Sequence, residues 1–577
     1  MIRPRKTLEG LSPYPVSKIP RAGHICLDMN ENPRGPSPRV MKALKELKEK
    51  HLYSYPDYQG LYSALADYTG LKGKNLILTC GGDEAIRIVL DAFVEEGEKV
   101  VLTTPTYSMY NLLLKLRGAD LIELQYGKDL VFPQEKLFEL AKTKPGAVIL
   151  INPASPTGET IPLKTIEKTL ELFKDVPVLL DETYHHYSGY SAVELVNKYP
   201  NLFILMTFSK AFSLAGLRLG YVISQEENIT KLDLVNPPYP VSGPAVIAAA
   251  AALKDREFLR EEVKKVEEEK KFLFKELASL DLEVRLTKTN FILVNFGKNA
   301  LEIKKQLTER KILVRSLENY PPLQNYLRVS LGTRENHLAF LQALKEIIRP
   351  KIILFDLDGV LIDVNQSYLQ AIRETVGFFS SNLPEWKEIQ TQKQAGGFNN
   401  DWDLTCFLIE QRGLEVPRKT VIDKFQEFYL GNNFDGLIDK EKPLIRKDFL
   451  ESLSANYKMG IVTGRPKPEA IYTLEKMGVL HFFQSLITMD DVPSKRGKPD
   501  PLGLELAIKE LGSKHGFYIG DNPDDMKAAR AAGLIPLGCL PPDFTSEDQK
   551  ALKRAGARRI LENINELEEI LKCAVEV

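Results

Sequence analysis

Short apolar runs recur along the chain, each next to a stretch whose apolar positions repeat with helical spacing. Residues 75–78, 99–102, 147–151, 177–180 and 202–207 read as strands. Their alternation with amphipathic helices is the signature of a parallel α/β architecture. Residues 255–278 are charged, with Phe258, Val263, Val266, Phe272 and Phe274 interspersed. They predict a long helix leading from a large domain into a smaller one. Residues 289–296 and 326–330 then read as strands of that smaller domain.

The amphipathic stretch 335–348 ends at Arg349-Pro350-Lys351. Proline lacks the amide proton a helix needs and disfavours helical geometry in the residue before it, so the helix stops there. A second α/β series follows, with strands expected at 352–355, 459–462, 485–488, 517–519 and 535–538. The mostly helical stretch 364–443 is long enough for an inserted cap. The expected division is 1–349 and 350–577. Within the first part, a large domain covers about 35–255, and the N-terminal segment joins about 256–349 in a small one.

Composition narrows the class. Lys+Arg is 77 and Asp+Glu 78 over 577 residues, so no charge bias points to nucleic acid or an anionic membrane. Lys45, Lys48 and Lys50 read as a solvated helix face. The five cysteines are scattered, with no CxxC pair, which points to reduced thiols and a cytoplasmic protein rather than a disulfide framework or zinc site. No apolar stretch follows the basic start, so no signal peptide is expected, and no run reaches membrane-spanning length.

The segment Thr207-Phe208-Ser209-Lys210-Ala211-Phe212-Ser213-Leu214-Ala215-Gly216-Leu217-Arg218 follows an apolar run. It resembles the lysine motif of fold-type I pyridoxal-phosphate enzymes, in particular the histidinol-phosphate aminotransferase family. That chemistry wants a lysine at the end of a rigid strand, to link covalently to the cofactor aldehyde and later carry a proton at the substrate's α carbon. Asp181 ends another apolar run in Asp-Glu-Thr-Tyr. A buried carboxylate is costly unless paired, and the resemblance pairs it with the protonated pyridine nitrogen. It also implies that Tyr184 and Asn152 hydrogen-bond the ring oxygen and that Tyr107 stacks on the ring. The family more often has two asparagines where this chain has Ala154 and Ser155. Gly82 and Asp83, ahead of a helix, would hold the cofactor phosphate through their backbones, joined by Ser209 and Arg218, since amides exposed at a helix start suit an anion.

Leu27-Asp28-Met29-Asn30-Glu31-Asn32-Pro33-Arg34-Gly35-Pro36-Ser37-Pro38 resembles the opening segment of the same family, with Asn32 in its substrate site. Tyr14 matches a substrate-contacting tyrosine. Tyr55 matches a residue that reaches the cofactor in the partner subunit of a homodimer. Arg315 and Arg328 match two arginines that grip the substrate phosphate; guanidinium pairs suit a phosphate dianion. The resemblance implies transfer of an amino group between glutamate and imidazole acetol phosphate. Related threonine-phosphate decarboxylases and aromatic aminotransferases share much of the pattern. His185 and His186 could touch the substrate, but two histidines after a strand end are more often solvent-facing; no third metal ligand of suitable spacing follows them.

In the second part, Phe355-Asp356-Leu357-Asp358-Gly359-Val360-Leu361 follows an apolar run. It resembles the first motif of the haloacid dehalogenase superfamily of phosphatases. Side chains at i and i+2 leave a strand on one side, so both carboxylates share a pocket. The resemblance implies that Asp356 attacks phosphorus and that Asp358 protonates the leaving alcohol and then activates water. Thr463, in Val-Thr-Gly-Arg-Pro, would bind phosphoryl oxygens, and Lys498 would pair the nucleophile and the phosphate. Asp521 and Asp525 would join Asp356 and Asp358 around Mg2+. Gly396-Gly397, with Trp402 nearby, marks a candidate substrate-reading loop of the cap; packing is an equal alternative for Trp402. The implied whole is a fold-type I aminotransferase, with a large α/β and a small α+β domain, followed by a Rossmann-like phosphatase with a helical cap. Histidinol phosphate is the economical phosphatase substrate on pathway logic. An unrelated metabolite, or a catalytically idle second half, are the alternatives.

Overall fold

The computed structural model describes residues 3–575 except 4, 15–18, 281, 396–399, 494, 495, 543 and 544. The chain divides into two compact units, Met1–Ile347 and Ile348–Val577. Among the described residues no helix is long and apolar enough to cross a membrane.

The first unit is built on a seven-stranded sheet. Its order runs Leu76–Thr79, Gly220–Ile223, Leu202–Thr207, Val178–Asp181, Ala147–Ile151, Lys99–Thr104 and Asp120–Gln125. The five strands from Leu202–Thr207 onward pair in parallel, while Gly220–Ile223 runs antiparallel to both neighbours. Ala147–Ile151 and Leu202–Thr207 are buried at every position, which is why they read as unbroken apolar runs. Each such Val, Leu or Ile contributes about 1.5–3 kcal/mol by leaving water.

A second sheet of five strands joins the two ends of this unit. Ile25–Leu27 pairs in parallel with Ile312–Ser316, which pairs antiparallel with Tyr326–Ser330; Phe291–Asn295 and Glu283–Arg285 complete it. The helix Arg256–Ser279 buries Leu259, Val266, Leu273 and Leu277, together with Glu262 and Lys270. Phe272 lies instead under the guanidinium of Arg334, 3.6 Å from its ring centre.

The second unit holds an all-parallel sheet in the order Ser485–Ile487, Lys458–Val462, Ile352–Phe355, Gly516–Gly520, Ile535–Cys539 and Arg559–Leu561. Four helices, Tyr368–Ser380, Trp386–Ala395, Asp401–Glu410 and Arg418–Leu430, form the cap between its first two strands in sequence. The chain leaves the core and returns to it through a two-stranded ribbon, Ile362–Asp363 with Lys442–Pro443.

Candidate active sites

In the first unit, Asn152, Asp181 and Lys210 lie at or just beyond the ends of three successive strands of the large sheet. Ile151 pairs with Asp181 and Asp181 with Leu205, so register alone brings these residues to one carboxyl edge, where open α/β sheets place their ligands. The Nζ of Lys210 donates to the Met29 carbonyl at 2.9 Å and lies 5.8 Å from the ring centre of Tyr184. The Tyr184 hydroxyl accepts from Asn30 Nδ2 at 2.8 Å. Asp181 is buried and accepts from the Tyr110 hydroxyl at 2.8 Å and the Thr183 amide at 3.0 Å. Burial raises its proton affinity, and the Thr183 and Tyr110 hydrogen bonds only partly offset this. Among the described residues it has no basic partner.

Asn152 supplies a second open valence. Its Oδ1 accepts the Ile161 amide at 2.9 Å, while its buried Nδ2 has no partner among the described residues. A candidate anion cradle lies at the start of the helix Gly81–Phe93. Gly81 is left-handed (φ +77°), and a Cβ there would stand 2.6 Å from Arg218 Nη2. That nitrogen donates to Asp83 Oδ2 at 3.1 Å, and the Tyr107 hydroxyl donates to Asp83 Oδ1 at 3.0 Å. The Asp83 carboxylate is thus engaged sideways. Ser209 is buried nearby in sequence to Lys210, accepting from Thr207 Oγ1 at 3.0 Å. A carboxylate lacking a cation, an amide donor lacking an acceptor, a phosphate-type cradle and a strand-end lysine together fit pyridoxal 5'-phosphate. When bound, the cofactor supplies an electron sink.

Above this site Tyr14 meets Tyr107 edge-on, with ring centres 5.8 Å apart. Arg315 and Arg328 lie directly opposite each other on antiparallel strands. Arg328 donates to the Asp28 carbonyl at 2.7 Å and to Ser155 Oγ at 3.2 Å, its Nε remaining unpartnered among the described residues. Burial, with the Arg315 charge adding to it against nearby phenols, lowers its proton affinity. Among the described residues neither arginine pairs with a carboxylate. Asn32 is buried, and its Nδ2 has no partner among the described residues.

Tyr55 stands apart. It is 78% exposed and stacks on Tyr239 at 4.4 Å. The expectation for His185 and His186 is corrected. Both are half-buried, because the turn His185–Ser188 tucks in beside Tyr68 and Phe212. His186 Nε2 hydrogen-bonds the Tyr68 hydroxyl at 2.8 Å and His185 Nδ1 the Glu182 carbonyl at 2.8 Å; burial lowers both pKa values, that of His185 to about 4. Tyr110 and Asn30 were not singled out from the sequence. Tyr110 sits at an ordinary apolar helix position, and Asn30 became meaningful only once Tyr184 was placed against it.

In the second unit, Asp356, Thr463 and Asp521 follow three adjacent parallel strands. Asp356 Oδ1 accepts the Leu357 amide at 2.8 Å, and its Oδ2 pairs with Lys498 at 2.8 Å. Lys498 also holds Asp525 at 2.8 Å. Asp525 is fully buried and accepts the Tyr518 hydroxyl and the Asn522 amide, each at 3.1 Å. Oxygens of Asp356, Asp521 and Asp525 lie within 4.8 Å of one another. Burial, then the Asp525 and Asp358 charges acting against Lys498, push Asp356 up to about 7. Asp521 is raised well above its ordinary value by burial and by Asp525 and Asp356. Gly359 lies against this cluster in a left-handed conformation (φ +70°), where a Cβ would come within 2.2 Å of Asp521 Oδ2.

Three of the four carboxylates expected around the metal thus converge, while the Asp358 carboxylate is held by the guanidinium of Arg465, Nε donating to Oδ1 at 2.7 Å. Three crowded, hard oxygen donors fit Mg2+. The Thr463 hydroxyl accepts the Arg465 amide at 3.2 Å. A cavity of about 680 Å³ opens over these groups and is lined on the cap side by Lys393 and Trp402. Lys393 pairs with Asp401 at 2.8 Å; burial opposes its charge, but Asp401, Asp521 and Asp358 hold its proton affinity high. The indole Nε1 of Trp402 is buried without a partner among the described residues. Gly396-Gly397 lie outside the described residues.

Residues 23–344 match the family model of class I and II aminotransferases, and residues 350–533 that of haloacid dehalogenase-like hydrolases. Histidinol-phosphate aminotransferase of Clostridium novyi (strain NT) is 34% identical over 346 residues, covering 59% of this chain and 96% of that protein. Histidinol-phosphate aminotransferase 1 of Archaeoglobus fulgidus is 33% identical over 325 residues, 56% of this chain and 99% of that protein. The crystal structure of histidinol-phosphate aminotransferase from Sinorhizobium meliloti with pyridoxal-5'-phosphate superimposes with a TM-score of 0.53 at 26% identity, covering 56% of this chain and 89% of that one. The chain belongs to the class I and II aminotransferases, alongside the histidinol-phosphate aminotransferases, and carries a haloacid dehalogenase-like hydrolase domain behind its aminotransferase domain.

Proposed function

We propose that the first unit transfers an amino group between glutamate and imidazole acetol phosphate, giving histidinol phosphate. The second unit then hydrolyses a phosphate monoester, with histidinol phosphate the leading candidate. The observation that carries the first reading is the opposed pair Arg315 and Arg328. Like charges facing each other across a strand pair are unfavourable, and among the described residues no carboxylate relieves them, so a substrate dianion is the natural counter-charge. The names of the relatives support the same choice.

In this reading Lys210 moves the proton at the substrate's α carbon, Asp181 keeps the ring nitrogen protonated, and Asn152 and Tyr184 hold the ring oxygen. Gly82, Asp83, Ser209 and Arg218 anchor the cofactor phosphate, and Tyr107 and Tyr14 confine ring and substrate. Asn32 lies on the substrate side. Tyr55, exposed beside Tyr239, completes the site of a second copy in a homodimer. In the second unit Asp356 takes the phosphoryl group, Asp358 protonates the leaving oxygen, and Thr463 and Lys498 bind the phosphoryl oxygens. Asp356 and Asp521 hold Mg2+ with support from Asp525.

The test gives the purified full chain imidazole acetol phosphate, glutamate and Mg2+ and follows 2-oxoglutarate, histidinol phosphate, histidinol and free phosphate. Formation of histidinol phosphate without free phosphate would retain the first half of the proposal and remove histidinol phosphate as the phosphatase substrate. Better turnover of a non-phosphorylated aromatic keto acid would overturn the first half.

A further inference from the structure

Arg465 is among the most deeply buried large side chains of the molecule, with its side chain 1% exposed. Its five N–H groups, fixed in a planar fork, are all committed. Nε and Nη2 both donate to the same oxygen of Asp358, Oδ1, the first at 2.7 Å. Asp358 Oδ2 has no hydrogen-bond partner among the described residues, and Asp358 lines the cavity. The guanidinium therefore fixes one oxygen of this carboxylate and leaves the other available to a leaving group.

The opposite edge of the fork is held by Glu441. Nη2 donates to its Oε1 at 2.9 Å and Nη1 to its Oε2 at 3.1 Å. Glu441 also accepts from Ser367 Oγ and the Tyr429 hydroxyl, each at 3.0 Å, and from Thr473 Oγ1 at 2.7 Å. Tyr429 belongs to the cap helix Arg418–Leu430 and Ser367 precedes the cap helix Tyr368–Ser380, whereas Thr473 lies on the core helix Lys467–Lys476. Glu441 itself immediately precedes Lys442–Pro443, the ribbon strand by which the chain returns from the cap. The guanidinium thus joins the carboxylate in the catalytic cleft to the point where cap and core meet.

We propose that Arg465 is a positioning residue: it aims Asp358 at the leaving oxygen and, through Glu441, makes that aim depend on the cap hinge. The proposal rests on the phosphatase reading above. An ion pair this deep is costly to desolvate, and stability alone gives no reason for its fork to end on one oxygen of a cleft residue.

The test measures kcat/KM of the full-length protein with Mg2+ on two phosphates. p-Nitrophenyl phosphate has a good leaving group, whereas glycerol 1-phosphate has a poor one that needs protonation. Because kcat/KM reports only events up to transfer of the phosphoryl group, later hydrolysis of the enzyme intermediate does not intrude. Asp358→Asn gives the reference, a loss concentrated on the alkyl phosphate. The double variant Arg465→Met with Glu441→Gln removes both fully buried charges together, so neither is left inside without the other. It should reproduce the same selectivity, losing about tenfold or more on glycerol 1-phosphate, as general acid catalysis is worth about 10²–10⁴-fold, and less than about threefold on p-nitrophenyl phosphate. Arg465→Lys keeps one charge but cannot form the fork and should fall between; if the double variant does not fold, the comparison is read on this variant. Equal losses on both phosphates would make Arg465 a structural or phosphate-binding residue and overturn the proposal, as would no loss on either. If the wild type hydrolyses neither compound and Asp356→Asn changes nothing, the phosphatase reading itself fails and the proposal falls with it.

Discussion

Titrating Mg2+ into chelator-treated protein should release protons. Three carboxylates, those of Asp356, Asp521 and Asp525, crowd within 4.8 Å, with Lys498 as the cation bonded among them. Burial and mutual repulsion lift Asp356 from 3.8 to about 7. At ~1.36 kcal/mol per tenfold change in proton affinity, that rise corresponds to about 4 kcal/mol disfavouring the ionised form. Because Asp521 shares the same field, this is a ceiling for Asp356 rather than one term of a sum. The sign follows from linkage. Below pH 3.8 the folded and unfolded chains are both protonated at this residue and it contributes nothing. Between about pH 4 and 7 the folded form holds the extra proton, so the cation-free second unit loses stability as pH rises through this window. A divalent cation competes with that proton. Its apparent affinity should increase by nearly tenfold per pH step below about 7 and level off above it, with about one proton released per ion near pH 6. Calorimetric titration in two buffers of different ionisation enthalpy counts the protons directly. Affinity that stays flat from about pH 5.5 to 8, with no proton release, would refute the assignment of these carboxylates to a shared cation.

The two activities should separate genetically: Lys210→Ala should abolish transamination and leave phosphate release intact, and Asp356→Asn the reverse, each followed by product chromatography. Arg328→Ala should lower kcat/KM for a phosphorylated keto substrate by about 30-fold or more, since losing a charge-assisted buried contact costs on the order of 2–5 kcal/mol. A non-phosphorylated aromatic keto acid should be affected less. Tyr55→Ala and Lys210→Ala homodimers should each be nearly inactive, yet refolding them together should recover about a quarter of wild-type transamination, because half the dimers become hybrids with one intact site. Absence of recovery in verified hybrids would remove Tyr55 from the partner's site.

The strands that carry chemistry were legible because they are buried on both faces. Ala147–Ile151, Val178–Asp181 and Leu202–Thr207 need no alternation, and the residues that follow them are the ones the motifs mark. What could not be read was pairing across distance. Gly220–Ile223 is as apolar as its neighbours, and nothing local says that it runs against them. Arg465 follows a glycine in a short loop, where an arginine ordinarily reaches water. Its partners Glu441 and Tyr429 lie 24 and 36 residues away, and only the fold brings them together. His185 and His186 misled for the same reason: Tyr68, which covers them, lies on a distant helix. Spacing likewise brings Asp356 and Asp358 to one pocket but does not show that a guanidinium holds the second.

The pairing of Ile25–Leu27 with Ile312–Ser316 sets a timetable for biosynthesis. Nearly all of the first unit must leave the ribosome before its N-terminal strand finds a partner, and until then the segment containing Met29 and Asn30 cannot close over Lys210. Such distant contacts are slow to form. The second unit, residues 348–577, is still being made at that moment. At about 5–20 residues per second, its synthesis gives the upstream unit roughly ten seconds or more to assemble while its neighbour is incomplete. A nascent chain stalled within the second unit should therefore already bind the cofactor, whereas one stalled before the strand Ile312–Ser316 should leave the N-terminal segment open to protease.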